Sequence, residues 1–315
     1  MSYAQIEITE VGPAEYPLIR VLRDTIFGEF NHRYANTFEE VIEGRQDVLA
    51  LMAHLEGNPV GYKIGYRDRP RHYHSWTGGV LRDYRGQGVA HRMQAWQHAW
   101  LRARGYHTVG FNSFNKFRAM LRFGLSTGFV PDAVNVRPEN ELAIHFTKDL
   151  SQPDPPSREK VAPAKVHIES VGPNYYGLIA QLASETVMPT TEEQIDAVLS
   201  APDPLALVAF VDDKPVGFKT GRARDGGRRY YLSFMGGVLP DYRGMGIATA
   251  LARHQLRSVA GMGYTTVGYY TKHDNTLMLR MALGLGFDIV GLQFKPWEKL
   301  ALVVLERQIG AAERF

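Results

Sequence analysis

GGVLRDYRGQGVA, residues 78–90, and GGVLPDYRGMGIA, residues 236–248, are two versions of one glycine-rich motif, 158 residues apart in a chain of 315. Four further pairs of segments match in the same order, with small insertions: IEITEVGPAEYPLI with VHIESVGPNYYGLI, NPVGYKIG with KPVGFKTG, GYHTVGF with GYTTVGY, and MLRFGLSTGF with MLRMALGLGF. Such self-similarity indicates a duplicated structural unit. The sequence therefore predicts two domains that share one fold.

The segment between the two repeats reads as a linker. Residues 151–165, SQPDPPSREKVAPAK, are rich in proline and charge and show no apolar periodicity. Such a composition favours an extended connection. We expect an N-terminal domain over residues 1–150, this linker, and a C-terminal domain over residues 166–315.

Each repeat has the pattern of an α+β domain. In the first repeat, alternation and β-branched residues predict strands over residues 6–11, 48–55, 60–66, 72–81, 108–111, 129–136 and 141–146. Helices are predicted over residues 89–104 and 116–125, and Trp96 and Trp100 are expected to pack on the sheet. We expect a mixed, mostly antiparallel sheet flanked by helices in each domain.

The glycine-rich turn joins a predicted strand to the start of a helix. Gly86, Gly88 and the small Ala90 expose the backbone, so that amide N–H groups and the helix dipole can face an anion, while Arg85 adds a charge. This predicts a pyrophosphate cradle in each repeat, formed by Arg85, Gly86, Gln87, Gly88, Val89 and Ala90, and by Arg243, Gly244, Met245, Gly246, Ile247 and Ala248. A tight turn whose glycines serve backbone geometry alone is the alternative.

Composition excludes several classes of protein. Lys and Arg outnumber Asp and Glu by 36 to 33, which is too small an excess to indicate nucleic-acid binding. There is no cysteine, so disulfides, thiolate nucleophiles and cysteine-based zinc sites are excluded. No apolar run reaches the roughly 18 residues of a membrane helix. The first residues, MSYAQIEITE, lack the features of a signal peptide, and we expect a cytoplasmic protein.

The order of strand, glycine turn, long helix, strand, Asn and Gly-Phe resembles the GNAT superfamily of N-acetyltransferases, here as a tandem two-domain member. The acyl-CoA motif of that superfamily, Arg/Gln-x-x-Gly-x-Gly/Ala, is matched by Arg85 to Ala90 and by Arg243 to Ala248. Its later motif is matched in the first repeat by Asn115 and Gly128-Phe129, and in the second by Asn275 and Gly286-Phe287.

This resemblance implies that the protein is an N-acetyltransferase with acetyl-CoA as acyl donor. The pyrophosphate would lie on the two cradles. The acyl carbonyl would be polarised by a backbone N–H near Gly79-Val80 in the first repeat and near Gly237-Val238 in the second. Asn115 and Asn275 would lie near the pantetheine arm or the thiol.

One departure from the family pattern concerns the acid that protonates the leaving thiolate. Many members have a tyrosine four residues before the glycine of Gly-Phe. Gly124 and Ala282 stand there in this chain, and neither side chain can donate a proton. Tyr269 and Tyr270 are candidates for hydroxyls near the thiol of the second site, although packing is the alternative.

Candidate catalytic side chains lie on the strand before the turn. His74 titrates in a useful range and is our candidate base, with a packed or surface histidine as the alternative. His72 shares its strand face, but a two-histidine metal site lacks further ligands, and we expect no metal. Ser75 and Ser233 occur in both copies and are candidates for hydrogen bonds to substrate or thiol, unless the backbone satisfies them.

The acceptor pocket is expected after the first helix of repeat one. Glu29, His32 and Tyr34 lie in a segment that mixes aromatic residues with both charge signs, as a small-molecule pocket does. A solvated loop is the alternative. Lys63 and Lys219 match between the copies and are expected to be exposed strand lysines.

The function expected from these features is transfer of an acetyl group from acetyl-CoA directly to a primary amine of a small molecule. A non-catalytic acyl-CoA-binding or sensing protein is one alternative, and an aminoacyl-tRNA-dependent transferase is another. We expect no nucleic-acid or membrane partner. Since the two domains can form a pseudo-dimer within one chain, a monomer is as reasonable an expectation as a homodimer.

Overall fold

The computed structural model describes residues 6–28, 38–138, 140–156, 161–224, 229–295 and 300–310. The first repeat consists of β1 Ile6–Glu10, α1 Tyr16–Phe27, α2 Phe38–Ile42, β2 Gln46–Leu55, β3 Asn58–Arg69, β4 His72–Val80, α3 Val89–Ala103, β5 Thr108–Phe114, α4 Arg118–Ser126, β6 Val130–Val136 and β7 Leu142–Asp149. The second consists of β8 His167–Ser170, α5 Tyr176–Thr186, α6 Glu192–Leu199, β9 Leu205–Val211, β10 Lys214–Ala223, β11 Tyr230–Val238, α7 Ile247–Gly261, β12 Thr266–Lys272, α8 Thr276–Gly284, β13 Asp288–Lys295 and β14 Leu300–Gln308.

Each repeat forms a seven-stranded sheet with the same strand order. The first sheet runs β1-β2-β3-β4-β5-β7-β6 and the second β8-β9-β10-β11-β12-β14-β13. β4 pairs with β5 in parallel, and β11 pairs with β12 in parallel, whereas β1, β2, β3 and β4 pair antiparallel in sequence. The prediction of two tandem α+β domains with mixed, mostly antiparallel sheets is confirmed.

The parallel pair at the centre of each sheet is short. Pairing of β4 with β5 covers His72–His74, although β4 continues to Val80. Pairing of β11 with β12 covers Tyr230–Leu232, although β11 continues to Val238. Beyond these residues the two strands separate, and we call the gap between them the fork of each sheet. The fork leaves one edge of the central strand without a partner strand, and it opens towards the glycine-rich turn.

Helices pack on both faces of the first sheet. Ile19 and Leu22 of α1 are buried against Met52 and Tyr62, while Met93 of α3 is buried in a second cluster on the sheet. Each such side chain contributes about 1.5–3 kcal/mol when it is fully buried. These contacts fix the position of α3, and with it the position of the glycine-rich turn that precedes it.

The face of α3 that meets the sheet is more polar than its spacing of apolar residues predicts. Gln94, Gln97 and His98 are buried, with His98 fully so. The ring of Trp100 meets that of Tyr73 in β4 at 6.0 Å between centroids, and Trp96 and Trp100 are both partly exposed. Buried amide and imidazole groups bring polar chemistry beneath the helix that follows the turn.

The chain contacts divide the described residues into two compact units. The first unit lies within residues 1–113, 128–131 and 145–154, and the second within residues 114–127, 132–144 and 155–315. In the second unit α4 packs against α8, and Arg118 donates hydrogen bonds of 2.6 Å to the carbonyl of Phe287 and to the carboxylate of Asp288. The domain boundaries predicted at residues 150 and 166 stay predictions. None of the helices within the described residues combines the length and apolar character needed to cross a bilayer.

Candidate functional site

The glycine-rich turn of the first repeat has the backbone conformation that its glycines permit. Gly86 has φ of 81° and Gly88 φ of 86°, in the left-handed region where a side chain is strained. Gly88 is the N-cap of α3 and offers no side chain to the first turn of that helix. A Cβ atom at either glycine would meet no described atom within 4 Å, so the turn is open.

The backbone amides of this turn are the candidate anion site. The first helical hydrogen bond runs from the amide of Arg92 to the carbonyl of Gly88, at 3.1 Å. Among the described residues, the amides of residues 86–90 therefore have no acceptor. Unpaired amides at a helix N-terminus, together with the helix dipole, favour a phosphate or pyrophosphate group. The residues present thus fit the acyl-CoA pyrophosphate that the sequence predicts.

The second repeat reproduces the turn. Gly244 has φ of 87° and Gly246 φ of 85°, and helix α7 begins with a hydrogen bond of 3.0 Å from the amide of Ala250 to the carbonyl of Gly246. The linker lies against this turn. The amide of Ala164 donates to the carbonyl of Met245 at 3.3 Å, and a side chain added to Gly244 would come within 3.3 Å of Val161. These contacts use the carbonyl side of the turn, and the amides of residues 244–248 have no acceptor within the part of the chain that the structure describes.

The arginine of each motif has a structural task that the sequence analysis missed. The Nε of Arg85 donates to the carbonyl of Val80 at 3.0 Å, and the Nε of Arg243 donates to the carbonyl of Val238 at the same distance. Each arginine thus ties the turn to the end of the central strand five residues earlier. The arginine follows the valine at the end of the central strand by five residues in both repeats, and this shared spacing could have indicated the contact. The arginine therefore sets the shape of the cradle in addition to supplying charge.

The residues predicted near the acyl carbonyl lie on the forks. Gly79 and Val80 end β4, and Gly237 and Val238 end β11, in each case beyond the paired part of the strand. A Cβ atom on Gly79 would come within 2.8 Å of Ile26 in α1. The glycine therefore lets a helix approach the strand closely. That these residues polarise a carbonyl stays a prediction.

His74, the candidate base, lies in the paired part of β4. It stands beside Gly110 of β5, and its ring lies 5.6 Å from that of Tyr66. Burial lowers the pKa of His74 to about 4, although Asp68 acts to raise it. The imidazole is therefore neutral at pH 7 and free to accept a proton, but it is a weak base. Its neighbour His72 is hydrogen-bonded to Thr108 at 2.7 Å, and no group of three or more potential metal ligands converges within the described residues.

Ser75 and Ser233 occupy the base of the forks. Each is the first residue after the paired segment of its strand, and both are buried. The hydroxyl of Ser233 has no hydrogen-bond partner among the described residues. A buried hydroxyl without a partner costs about 1–3 kcal/mol. The fork of the second repeat therefore holds a polar group that is available to a ligand.

Both asparagines of the later motif make structural hydrogen bonds. The side-chain amide of Asn115 donates to the carbonyl of Ile289 and accepts from its amide, each at 2.9 Å. The Oδ1 of Asn275 accepts from the amide of Met278 at 3.3 Å and caps α8. Their contact with a pantetheine arm stays a prediction. The candidate acceptor residues Glu29, His32 and Tyr34 lie outside the described residues.

The expectation that Lys63 and Lys219 are exposed is wrong. Lys219 is 7% exposed and Lys63 is partly buried. Burial lowers the pKa of each to about 8. They stand opposite Gly78 and Gly236 on the neighbouring central strand. Lys219 lines a cavity together with residues of helix α7. The alternation of residues along a strand does not reveal which face of the sheet is covered by helices. The expectation of exposed lysines was therefore wrong.

Comparison with known proteins gives the family. A model described as the acetyltransferase (GNAT) family matches residues 17–129 and again residues 175–287, which together exceed half of the chain. The chain therefore belongs to the GNAT acetyltransferase family, with two tandem domains, and is an enzyme of the acyltransferase class. Members of this family use acetyl-CoA as acyl donor.

Several solved structures are similar to one part of this chain. Ard1 from Thermoplasma volcanium is 18% identical, covers 46% of this chain and 98% of its own, and has a TM-score of 0.42. The ribosomal-protein-S18-alanine N-acetyltransferase from Escherichia coli is 16% identical, covers 48% and 98%, and has a TM-score of 0.41. The aminoglycoside 6'-N-acetyltransferase from Enterococcus faecium is 17% identical, covers 46% and 97%, and has a TM-score of 0.40.

Proposed function

We propose that this protein transfers the acetyl group of acetyl-CoA directly to a primary amine of a small molecule, and that each repeat binds one acetyl-CoA. The observation that carries the proposal is the open glycine turn at a helix N-terminus beside a fork, present twice. In each repeat five successive amides lack an acceptor among the described residues. Because this chain belongs to a family of acyltransferases, two such turns favour two binding sites for the acyl donor per chain.

Direct acetyl transfer requires the protein to position the two substrates and to assist proton transfer. The acceptor amine must be neutral to attack, so a base or a water must take its proton. His74 is neutral at pH 7 and stands near the fork of the first repeat, which supports its role as a relay, although its pKa of about 4 makes it a weak acceptor. The oxyanion would be stabilised by the backbone N–H groups of the fork near Gly79-Val80 and Gly237-Val238. No covalent intermediate is required.

Calorimetric titration of acetyl-CoA into the purified protein tests the donor sites. We expect two molecules bound per chain. Gly88→Glu in the first turn, or Gly246→Glu in the second, should remove one site each, because a carboxylate would face the donor phosphates at the cradle. Gly88→Asn is the matched control, since it places a neutral side chain in the same left-handed conformation.

The titration separates the possible outcomes. Loss of one site in each Glu variant, with binding retained in Gly88→Asn, supports the cradles. Full stoichiometry in both Glu variants would contradict their placement. Acetyl transfer is then tested with a panel of primary amines, by measuring the free CoA thiol that is released with each amine.

A non-catalytic acyl-CoA-binding protein is the second candidate. It is favoured by Gly124 and Ala282, which stand where many members carry a tyrosine acid and which are both buried. Binding of acetyl-CoA at both sites, with no thiol released by any amine in the panel, would support this candidate over the transferase.

A further inference from the structure

A small cavity lies beneath α7 in the second repeat. Its volume is about 10 Å³, and its lining consists of Lys219, Ser233, Ala252, Gln255, Leu256, Tyr269, Met278, Met281, Leu285 and Phe287. This volume is close to the smallest that can hold one water molecule, and a water requires two to four polar partners. The lining is mostly apolar, with Lys219, Ser233, Gln255 and Tyr269 as its polar members.

The cavity lies at the base of the fork. Ser233 follows the last paired residue of β11, and Tyr269 follows the last paired residue of β12. Lys219 stands across from Gly236, next to the segment where the acyl carbonyl is expected. Helix α8 closes the remaining side through Met278, Met281 and Leu285. The cavity therefore lies close in the sheet to the strand segment where the acyl carbonyl is expected.

All three polar groups lack a partner. Lys219, Ser233 and Tyr269 are 7%, 4% and 5% exposed. The hydroxyls of Ser233 and Tyr269 have no hydrogen-bond partner among the described residues. Burial is the one cause of the lowered pKa of Lys219, and no hydrogen bond or ion pair with a described residue contributes to it. Gln255 is satisfied, since its Nε2 donates to the carbonyl of Thr220 at 3.2 Å. Buried polar groups are normally paired, so three around one cavity point to a ligand that completes them.

We propose that the ammonium group of Lys219 is the proton donor to the sulfur of the departing CoA in the second repeat. This inference rests on the function proposed above. It supplies the acid that α8 lacks, because Ala282 follows Met281 on the helix that faces the cavity and carries no proton donor. The hydroxyls of Ser233 and Tyr269 line the same cavity as Lys219.

The proton balance closes without another reactant. The amine nitrogen bonds to the thioester carbon, and the carbon–sulfur bond breaks with its electron pair going to sulfur. Lys219 gives a proton to that sulfur. The nitrogen of the new amide loses one proton, which returns through water to Lys219. One thioester and one amine thus become one amide and one thiol, and the lysine ends as it began.

The acidity of the three groups favours the lysine. Burial lowers the pKa of Lys219 to about 8, so it is charged at pH 7 and gives up its proton readily. Burial raises the pKa of Tyr269 instead, and a serine hydroxyl is a weaker acid still. Within the described residues, Tyr269 is the one other titratable side chain that lines the cavity, and burial alone accounts for the lowered pKa of Lys219.

The first repeat carries a related cluster, in which five of the ten positions that line the cavity differ. Lys63, Ser75 and Gln97 match the second repeat, but Phe111 replaces Tyr269 and His98 replaces Leu256. Burial and the charge of Lys63 lower the pKa of His98 to about 3. The environment of Lys63 therefore differs from that of Lys219, and the proposal is confined to the second repeat.

Proton release on CoA binding tests the proposal without an acceptor amine. Free CoA has a protonated thiol at pH 7, and Lys219 is charged. If the two groups share one proton when CoA is bound, up to one proton per CoA passes to the buffer. Titrations in two buffers of different ionisation enthalpy measure this number. Gly88→Glu is present throughout, so that only the second repeat binds. Desulfo-CoA, which lacks the sulfur, is the reference ligand.

We expect binding of CoA to release more protons to the buffer than binding of desulfo-CoA, and the difference should approach one proton per bound ligand. Lys219→Met should abolish that difference, whereas Lys214→Met, at the exposed end of the same strand, should leave it unchanged. Lys219→Gln is a second variant with a polar side chain. Equal release by the two ligands, or a difference that survives in Lys219→Met, would overturn the proposal while CoA binding stands. Absence of CoA binding would refute the proposed function and this inference together.

Discussion

Replacing Lys219 by methionine should make the protein more stable at neutral pH. The ammonium is buried and unpaired among the described residues, and burial lowers its pKa from 10.5 to about 8. At about 1.4 kcal/mol for each pH unit, this difference corresponds to roughly 3 kcal/mol of unfolding free energy. Methionine has a similar length and no charge, and replacing a buried charge by an apolar side chain is often stabilising. We therefore expect Lys219→Met to gain about 3 kcal/mol at pH 7.

The gain should depend on pH in a defined direction. Below pH 8 the lysine is charged in the folded and unfolded states, and the folded protein carries the full cost of the buried charge. Between pH 8 and 10.5 the unfolded chain binds more protons than the folded one, so the stability of the wild type rises with pH. Above pH 10.5 both states are neutral. The advantage of the variant should therefore shrink between pH 8 and 10.5 and vanish above that range.

Urea unfolding followed by circular dichroism, at pH 7 and at several values up to pH 10.5, measures this difference. Lys214→Met is the control, because it makes the same exchange at an exposed position of β10. The ammonium of Lys214 lies 5.5 Å from the ring of Tyr242, so this variant should lose at most about 1 kcal/mol and show no gain. A gain for Lys219→Met that stays constant with pH, or a loss at pH 7, would refute the assignment of an unpaired buried ammonium.

Three further expectations concern other parts of the molecule. Asn115→Ala should lower the unfolding free energy by about 2 kcal/mol and speed amide exchange at Ile289, because it removes two hydrogen bonds of 2.9 Å; unchanged exchange would contradict this. His74 should titrate near pH 4 when its ring is followed by NMR, and a midpoint near 6.5 would mean that the ring is solvated. Gly79→Ala should cost about 1–3 kcal/mol, because its Cβ would lie 2.8 Å from Ile26. Ile26→Ala in the same chain should then cost less than it does alone, and simple additivity would count against this clash.

The duplicated fold could be predicted because its signals are local and repeated. The motif at residues 78–90 returns at residues 236–248, and two glycines in each copy adopt the left-handed conformation that their residue type permits. The strands and helices around them follow apolar periodicities that the chain shows twice. The open amide cradle could therefore be located before any coordinates, since it depends on backbone chemistry within a few residues of sequence.

The neighbours of the cradle could not be predicted in the same way. Asn115 matches the family position for a donor contact, yet its side chain is hydrogen-bonded to Ile289, which is distant in sequence. The bracing bond from Arg85 to Val80 depends on the path of the turn between them. Both contacts are set by how segments meet in space, and a single sequence carries no measure of such distances.

The sequence by itself determined the duplication, the α+β class, the family and the position of the two glycine-rich turns, because these follow from residue type and spacing along the chain. Only the tertiary structure decided that Lys219 is buried. The alternation of residues along β10 is compatible with an exposed side chain and with a buried one. Lys219 is buried because residues of α7 and α8 pack around it. Burial is a property of what packs above a residue, and it is burial that turns an ordinary lysine into a candidate acid.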